Sequence, residues 1–95
     1  MIVRLSEAAR DDLLQIWRYI VIDSPEAADR QLDRLEAAVD RLGVFPDLGL
    51  ARDDLRAGLR MWRADRYAIF YSQRDQRLVV ERVLHASRDT DLIRF

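Results

Sequence analysis

The sequence contains no cysteine, no lysine and no asparagine, and it has a single histidine. Without cysteine there is no disulfide framework, no thiolate metal site and no cysteine nucleophile. One histidine alone argues against a structural zinc site, and we expect neither a metal nor another cofactor. No apolar run approaches membrane-spanning length, and the N-terminal residues lack the pattern of a secretory signal peptide. We therefore expect a soluble, cytoplasmic protein.

The chain has the length of one small domain. Its 95 residues are 49% hydrophobic, which allows a single packed core of modest size. We find no repeat, no low-complexity tract and no linker, and we predict one domain over residues 1–95. At this size little stability remains after conformational entropy is subtracted, so a binding partner would matter.

The charges divide unevenly along the chain. All 16 basic residues are arginine. Residues 1–48 hold 6 arginines against 10 acidic residues, a net charge of -4, and residues 49–95 hold 10 against 7, a net charge of +3. The basic half favours an anionic partner, although a GC-rich genome would also enrich arginine. Without lysine, no side-chain amine is present to act as a general base.

Apolar spacing in the first half predicts a strand followed by a helical hairpin. The strand covers residues 2–5. Ser6 is the expected N-cap of a helix that ends near Ile22, and Ser24 is the N-cap of a second helix with Gly43 as its C-cap. Because the connection is so short, the two helices must pack antiparallel. Their apolar stripes comprise Ala9, Leu13, Ile16, Trp17 and Ile20 in the first, and Ala28, Leu32, Leu35, Val39 and Leu42 in the second.

The second half shows the two-residue period of strands. The predicted elements are a loop at 44–49, a single helical turn at 53–57, strands at 59–62, 67–72 and 77–84, and a hairpin turn at 73–76. The last strand is apolar on both faces, with Leu78, Val80 and Leu84 on one side and Val79 and Val83 on the other. This pattern indicates a central strand. The order β-α-α-β-β-β predicts an α+β fold in which the helical hairpin packs on a small antiparallel sheet.

A series of short motifs runs in order along nearly the whole chain. The motifs are Leu5-Ser6-x-x-Ala9-x-x-Asp12-Leu13-x-x-Ile16-x-x-Tyr19-Ile20, Ser24-Pro25-x-x-Ala28, Pro46-x-x-Gly49, Gly58-Leu59-Arg60, Tyr67-x-Ile69-x-Tyr71 and Val83-Leu84-His85-x-x-Arg88-Asp89. Each is weak alone, but together they resemble the RelE/ParE superfamily of toxins from bacterial toxin–antitoxin pairs. The resemblance implies the same α+β fold.

The superfamily contains two activities. RelE-like members are ribosome-dependent messenger-RNA endonucleases that use lysines, arginines and a C-terminal tyrosine, whereas ParE-like members poison DNA gyrase without RNA-cleaving chemistry. Arg60 and Arg88 match two of the RelE-like arginines. The lysines are missing, however, and the tail ends in Arg94 and Phe95 where a tyrosine is expected. Since the high pKa of arginine makes it a poor proton donor or acceptor, this pattern favours a ParE-like toxin that is not an enzyme.

The resemblance also implies residues for the target contact. We expect Arg60, Arg88, Asp89, Arg94 and Phe95 to contribute to binding DNA gyrase. Arg60 and Arg88 fit structural salt bridges about as well as phosphate binding.

His85 carries the alternative hypothesis. A RelE-like ribonuclease would use Arg60, His85 and Arg88. We favour a structural role for His85 at the end of a strand, because one histidine without a second proton-transfer group is half of an acid–base mechanism. A second alternative is a degenerate member that is no longer toxic and only binds its antitoxin.

The implied partner is a ParD-like antitoxin, in a heterotetramer or a larger assembly. The helical hairpin would offer it an apolar groove, although for Trp17 itself we favour a core position. The groove candidates are Leu13, Trp17, Ile20, Leu32 and Leu35. We expect no membrane association and no sequence-specific binding of nucleic acid.

Overall fold

A computed structural model of the chain describes residues 1–87, which form two helices and five strands. The elements in chain order are β1 (Ile2–Leu5), α1 (Glu7–Val21), α2 (Pro25–Val44), β2 (Leu50–Ala51), β3 (Arg60–Ala64), β4 (Tyr67–Arg74) and β5 (Arg77–His85). The strands form one sheet in the order β1-β5-β4-β3-β2, with the helical hairpin on one side of it. The α+β fold predicted from the sequence is confirmed.

The sheet differs from the prediction in two details. β1 pairs parallel with β5, whereas all the other pairs are antiparallel. A parallel pair needs a long crossover connection, and the elements between β1 and β5 supply it. β2 was not predicted because it has only two residues, both exposed, and therefore carries no alternation of polar and apolar residues.

The predicted N-caps of both helices are correct. The Ser6 hydroxyl accepts a hydrogen bond from the Ala9 N–H at 2.9 Å, and the Ser24 hydroxyl accepts one from the Ala27 N–H at 3.2 Å. Each serine satisfies an amide that the first turn of a helix leaves without a partner.

The predicted C-cap at Gly43 is wrong. α2 continues through Val44, and Phe45 is its C-cap. Gly43 is buried within the helix, where a Cβ atom would lie 2.7 Å from Cγ2 of Val3. The glycine is needed because α2 passes close to β1, and not because the helix ends there.

The apolar side chains form two clusters on the two faces of the sheet. The larger cluster lies between the helices and the sheet and contains Ala9, Leu35, Val39, Leu42, Tyr67, Ile69, Tyr71, Leu78, Val80 and Val83. The smaller cluster, on the outer face, is built on Leu59, Ala68 and Phe70, with Leu55 packed against it. The segment 52–58, which we call the outer flap, therefore contributes to covering this face. It consists of turns and not of regular helix, but the Arg56 N–H donates to the Arg52 carbonyl at 3.3 Å, as in one turn of the kind predicted at 53–57.

A β-bulge changes the faces of β5. The register steps from Tyr71 opposite Val80 to Phe70 opposite Arg82, so Glu81 is an extra residue. Beyond the bulge the alternation is reversed: Val83 joins the helix-facing cluster and Leu84 moves to the outer cluster. The predicted placement of these two residues was therefore wrong. The prediction of a central strand is confirmed, since β5 lies between β1 and β4.

The hairpin between β4 and β5 is tighter than predicted. β4 extends through Arg74, and the connection is the two-residue turn Asp75-Gln76 with φ values of 50° and 61°. Positive φ at both central residues is typical of a type I′ turn, which matches the twist of the flanking strands. As a result, Arg74 lies directly opposite Arg77.

Candidate functional site

A cleft of about 840 Å³ opens where the helical hairpin passes over the end of β5. Its lining includes Ile16 and Tyr19 from α1, Arg34 from α2, and Tyr67 and His85 from the sheet. Tyr19 is 79% exposed at the rim. The cleft therefore combines aromatic, charged and aliphatic side chains next to the point where the described chain ends.

His85 is held by local contacts at this end of the sheet. Its Nδ1 accepts a hydrogen bond from the Ser87 N–H at 3.2 Å and lies 2.6 Å from the Ser87 hydroxyl. Its ring meets that of Tyr67 edge-on, with centroids 5.6 Å apart and an angle of 78° between planes. These contacts hold the imidazole in place at the last residue of β5.

A buried ion pair lies beside the cleft and was missed in the sequence. Nε and Nη2 of Arg82 donate to the two carboxylate oxygens of Asp12 at 2.8 and 2.9 Å. The same carboxylate accepts the Val83 N–H at 3.0 Å. The hydrogen bond to Asp12 raises the pKa of Arg82 above its ordinary value. The pair thus ties α1 to β5 by both side chain and backbone.

The signal for this pair was present in the helical period. Asp12 follows Ala9 by three residues and precedes Ile16 by four, so it lies on the apolar stripe of α1. An acidic residue on a buried face needs a partner, and the apolar stripe predicted for this helix left Asp12 out. The partner itself, 70 residues away, has no local signal.

Arg60 holds the loop that follows α2. Its guanidinium donates to the carbonyls of Gly49 at 2.6 Å and Asp47 at 3.3 Å. In the same loop, the buried Tyr71 hydroxyl donates to the Pro46 carbonyl at 2.6 Å and accepts the Gly49 N–H at 2.8 Å. Burial raises the pKa of Tyr71. Three of the sequence motifs therefore meet at one place and define the shape of loop 46–49.

The structure does not bring Arg60 and His85 together. Arg60 on β3 is opposite Tyr71 of β4, whereas His85 on β5 is opposite Tyr67, which precedes Tyr71 by four residues in β4. Four residues of a strand span about 13 Å, and β4 also separates the two side chains laterally. The third residue of the ribonuclease alternative, Arg88, lies outside the described residues.

The gyrase-contact candidates fall mostly in the tail. Arg88, Asp89, Arg94 and Phe95 all lie outside the described residues 1–87. Arg60 is the one candidate within them, and a third of its side-chain surface is exposed.

The groove candidates separate into three groups. Leu13, Trp17 and Leu32 line a shallow groove on the outside of the helical hairpin, which Leu14 extends. Ile20 instead lines the cleft. Leu35 was a wrong candidate: it is 1% exposed, because it points into the core between α2 and the sheet.

Within residues 1–87, no three histidine, aspartate or glutamate side chains gather as metal ligands would. No helix in the same range is both long and apolar enough to cross a membrane.

Comparison with known proteins identifies the family to which the chain belongs. The family model for the ParE toxin of the type II toxin–antitoxin system parDE matches residues 3–90. Toxin ParE3 of Caulobacter vibrioides is 37% identical over 74 residues, which cover 77% of this chain and 74% of that protein. Toxin ParE1 of Mycobacterium tuberculosis is 34% identical over 93 residues, which cover 92% and 91%.

Solved structures show the same fold. The chromosomal ParDE system from P. aeruginosa superposes with a TM-score of 0.79 at 19% identity, over 92% of this chain and 97% of that one. The toxin–antitoxin complex RelBE2 from Mycobacterium tuberculosis gives a TM-score of 0.56 at 23% identity, over 88% and 95%.

Proposed function

The chain belongs to the ParE toxin family of type II toxin–antitoxin systems, and from this premise we propose that it binds and inhibits DNA gyrase and is neutralised by a ParD-like antitoxin. The observation that carries the proposal is the family match over residues 3–90. An antitoxin partner follows from the family, whereas the choice of gyrase and of a ParD-like antitoxin is our inference.

We propose that the toxin acts by binding and not by catalysis. RNA cleavage needs groups that donate and accept protons around the scissile phosphate. The chain has no lysine, and Arg60 lies too far from His85 for the two to act on one phosphate. His85 already uses Nδ1 in contacts with Ser87. These features argue against RNA cleavage and support a toxin that acts by contact, for which gyrase is our proposed target.

The proposed gyrase surface combines the tail with loop 46–49. Arg88, Asp89, Arg94 and Phe95 would contact the target directly. Arg60 would act mainly through the loop that it holds, where the Asp47 side chain is largely exposed. Removal of residues 89–95 should then abolish toxicity while antitoxin binding stays largely intact.

The proposed antitoxin surface is the groove on the helical hairpin. Leu13, Trp17 and Leu32 line it, and Arg10 and Glu36 lie at its polar rim. Such an apolar strip with charged edges suits an amphipathic helix of the antitoxin. We propose a heterotetramer or larger assembly, which light scattering on the purified complex would measure.

One experiment separates this function from its alternatives. The chain is induced without its antitoxin, and SOS induction, translation and gyrase supercoiling are followed together. Growth arrest with SOS induction, unchanged in His85→Ala, supports gyrase inhibition. Arrest with cleaved message that His85→Ala abolishes would establish the RelE-like ribonuclease instead. No arrest at all would identify the degenerate, antitoxin-binding member.

A further inference from the structure

The outer face of the sheet carries three arginines on three neighbouring strands. Leu78 of β5 points into the helix-facing core, so its neighbour Arg77 is on the outer face. Arg74 of β4 is directly opposite Arg77. Arg4 of β1 is on the same side, since it pairs with Val79, two residues after Arg77. We call Arg4, Arg74 and Arg77 the arginine face.

Few carboxylates offset this charge. Asp75 lies in the turn between β4 and β5, and Glu81 on β5 has a side chain that is 12% exposed. Its carboxylate already lies 2.5 Å from Arg56 of the outer flap and only 4.0 Å from Arg74. Within residues 1–87, Arg4 and Arg77 have no acidic or hydrogen-bonding partner for their side chains. The arginine face therefore keeps an excess of positive charge.

The pair formed by Arg74 and Arg77 is unfavourable for folding. Side chains directly opposite each other on one face of an antiparallel pair are close neighbours, and like charges there destabilise the sheet. A local arrangement that opposes folding is expected at a functional site, where a ligand of opposite charge removes the repulsion.

A buried hydroxyl lies on the same face. Ser72 precedes Arg74 by two residues and is opposite Val79, so its side chain also points outward. It is 6% exposed, and its hydroxyl oxygen has no hydrogen-bond partner among the described residues. Because this hydroxyl is enclosed, it does not reach a ligand bound on the surface, and the arginine face is defined by its guanidinium groups alone.

We propose that the arginine face binds the phosphate backbone of nucleic acid without reading its sequence. Guanidinium groups suit phosphate oxygens, and a flat surface across three strands contacts a backbone without needing a pocket. A specific protein partner would require an apolar interface core as well. Within residues 1–87, Ile2 is the one largely exposed apolar side chain on this part of the face. The inference does not depend on gyrase as the target.

The test measures the salt dependence of binding to the full-length chain alone. A fluorescent duplex DNA of random sequence and a duplex RNA of the same length are titrated by anisotropy. Three phosphate contacts predict a slope of about -2.7 in log affinity against log salt, which is about a 40-fold loss from 50 to 200 mM salt. Arg74→Gln/Arg77→Gln should reduce the slope to about -0.9. The tighter of the two probes identifies the nucleic acid.

A matched double variant controls for net charge. Arg18→Gln/Arg30→Gln removes the same charge from exposed positions on the two helices and should leave the slope unchanged. Equal effects of the two double variants would show unspecific attraction and overturn the proposal. So would a polyglutamate peptide that binds as tightly as DNA at the same salt. The melting temperature of Arg74→Gln/Arg77→Gln is measured beside its binding; we expect it not to fall, because the repulsion that is removed outweighs the 4.0 Å contact between Arg74 and Glu81.

Discussion

The two faces of the sheet are built from the same strands, but they are held in different ways. The helix-facing side is closed by two capped helices, a large apolar cluster and the hydrogen-bonded pair Asp12–Arg82. The outer side has a small cluster, a flap without regular structure and the ion pair Arg56–Glu81. Most of the stability therefore comes from the helix-facing side. The outer face also carries the exposed charges of the arginine face, which do not contribute to the stability of the fold.

The sharpest way to break the helix-facing side is to remove Asp12. Asp12→Ala would leave the partly buried Arg82 without its partner and the Val83 N–H without an acceptor. We expect a loss of about 3–5 kcal/mol in the free energy of unfolding, as for other buried pairs that lose one member. Urea denaturation would measure it. A loss below that of Glu81→Gln would contradict the proposed division between the faces.

The apolar clusters allow the same comparison without charge. Leu35→Ala removes a side chain that is almost fully enclosed between α2 and the sheet, and we expect a loss of about 2–5 kcal/mol. The matched change on the outer face is Leu55→Ala, which truncates a partly buried residue of the flap. Its effect on thermal and urea unfolding should be clearly smaller. Equal losses would show that the flap is as tightly packed as the core.

The ion pair of the outer flap should matter mainly locally. Glu81→Gln weakens the contact with Arg56, and we expect a loss of about 1 kcal/mol, because exposure of the arginine screens the pair. Hydrogen exchange of residues 52–58 should accelerate, while exchange in α1 and α2 should not change. Acceleration throughout the chain would mean that the flap is part of the global folding unit.

The smallest effect should have the opposite sign. Arg77→Gln removes the charge that faces Arg74, and we expect a gain of about 0.2–1 kcal/mol in stability. The gain should shrink at high salt, because salt already screens the repulsion. Thermal unfolding at low and high salt would measure it. A destabilised variant would indicate that Arg77 has a favourable role in the fold.

Local signals predicted much of this fold correctly. Ser6 and Ser24 are caps that depend on residues three positions away, and the helical hairpin followed from them. Gly43 was misinterpreted because its reason is a contact with Val3, 40 residues earlier. The bulge at Glu81 had no local signal, since an extra residue in a strand is visible only when the partner strand is known.

The candidate site was predicted less completely, for the same reason. Arg60 was singled out as a target contact, which stays a prediction, and its contacts with loop 46–49 depend on how β3 lies against that loop. Leu35 and Leu32 both belong to the apolar stripe of α2, and only packing against the sheet shows that Leu35 is enclosed. Residues whose roles depend on long-range contacts could not be ranked from spacing alone.

The position of Asp12 also has a consequence for how the molecule avoids association. Within residues 1–87, β1 pairs with β5 from Arg77 to Val80, and no described strand covers the rest of that edge, which is where a strand from another molecule would pair. The Ser6 hydroxyl donates to the Glu81 carbonyl, and the Asp12 carboxylate accepts the Val83 N–H. The N-cap residue Ser6 and Asp12 of α1 thus satisfy part of the edge that no described strand covers. Their loss would expose a template for intermolecular β-pairing, and a toxin held at high concentration would then aggregate.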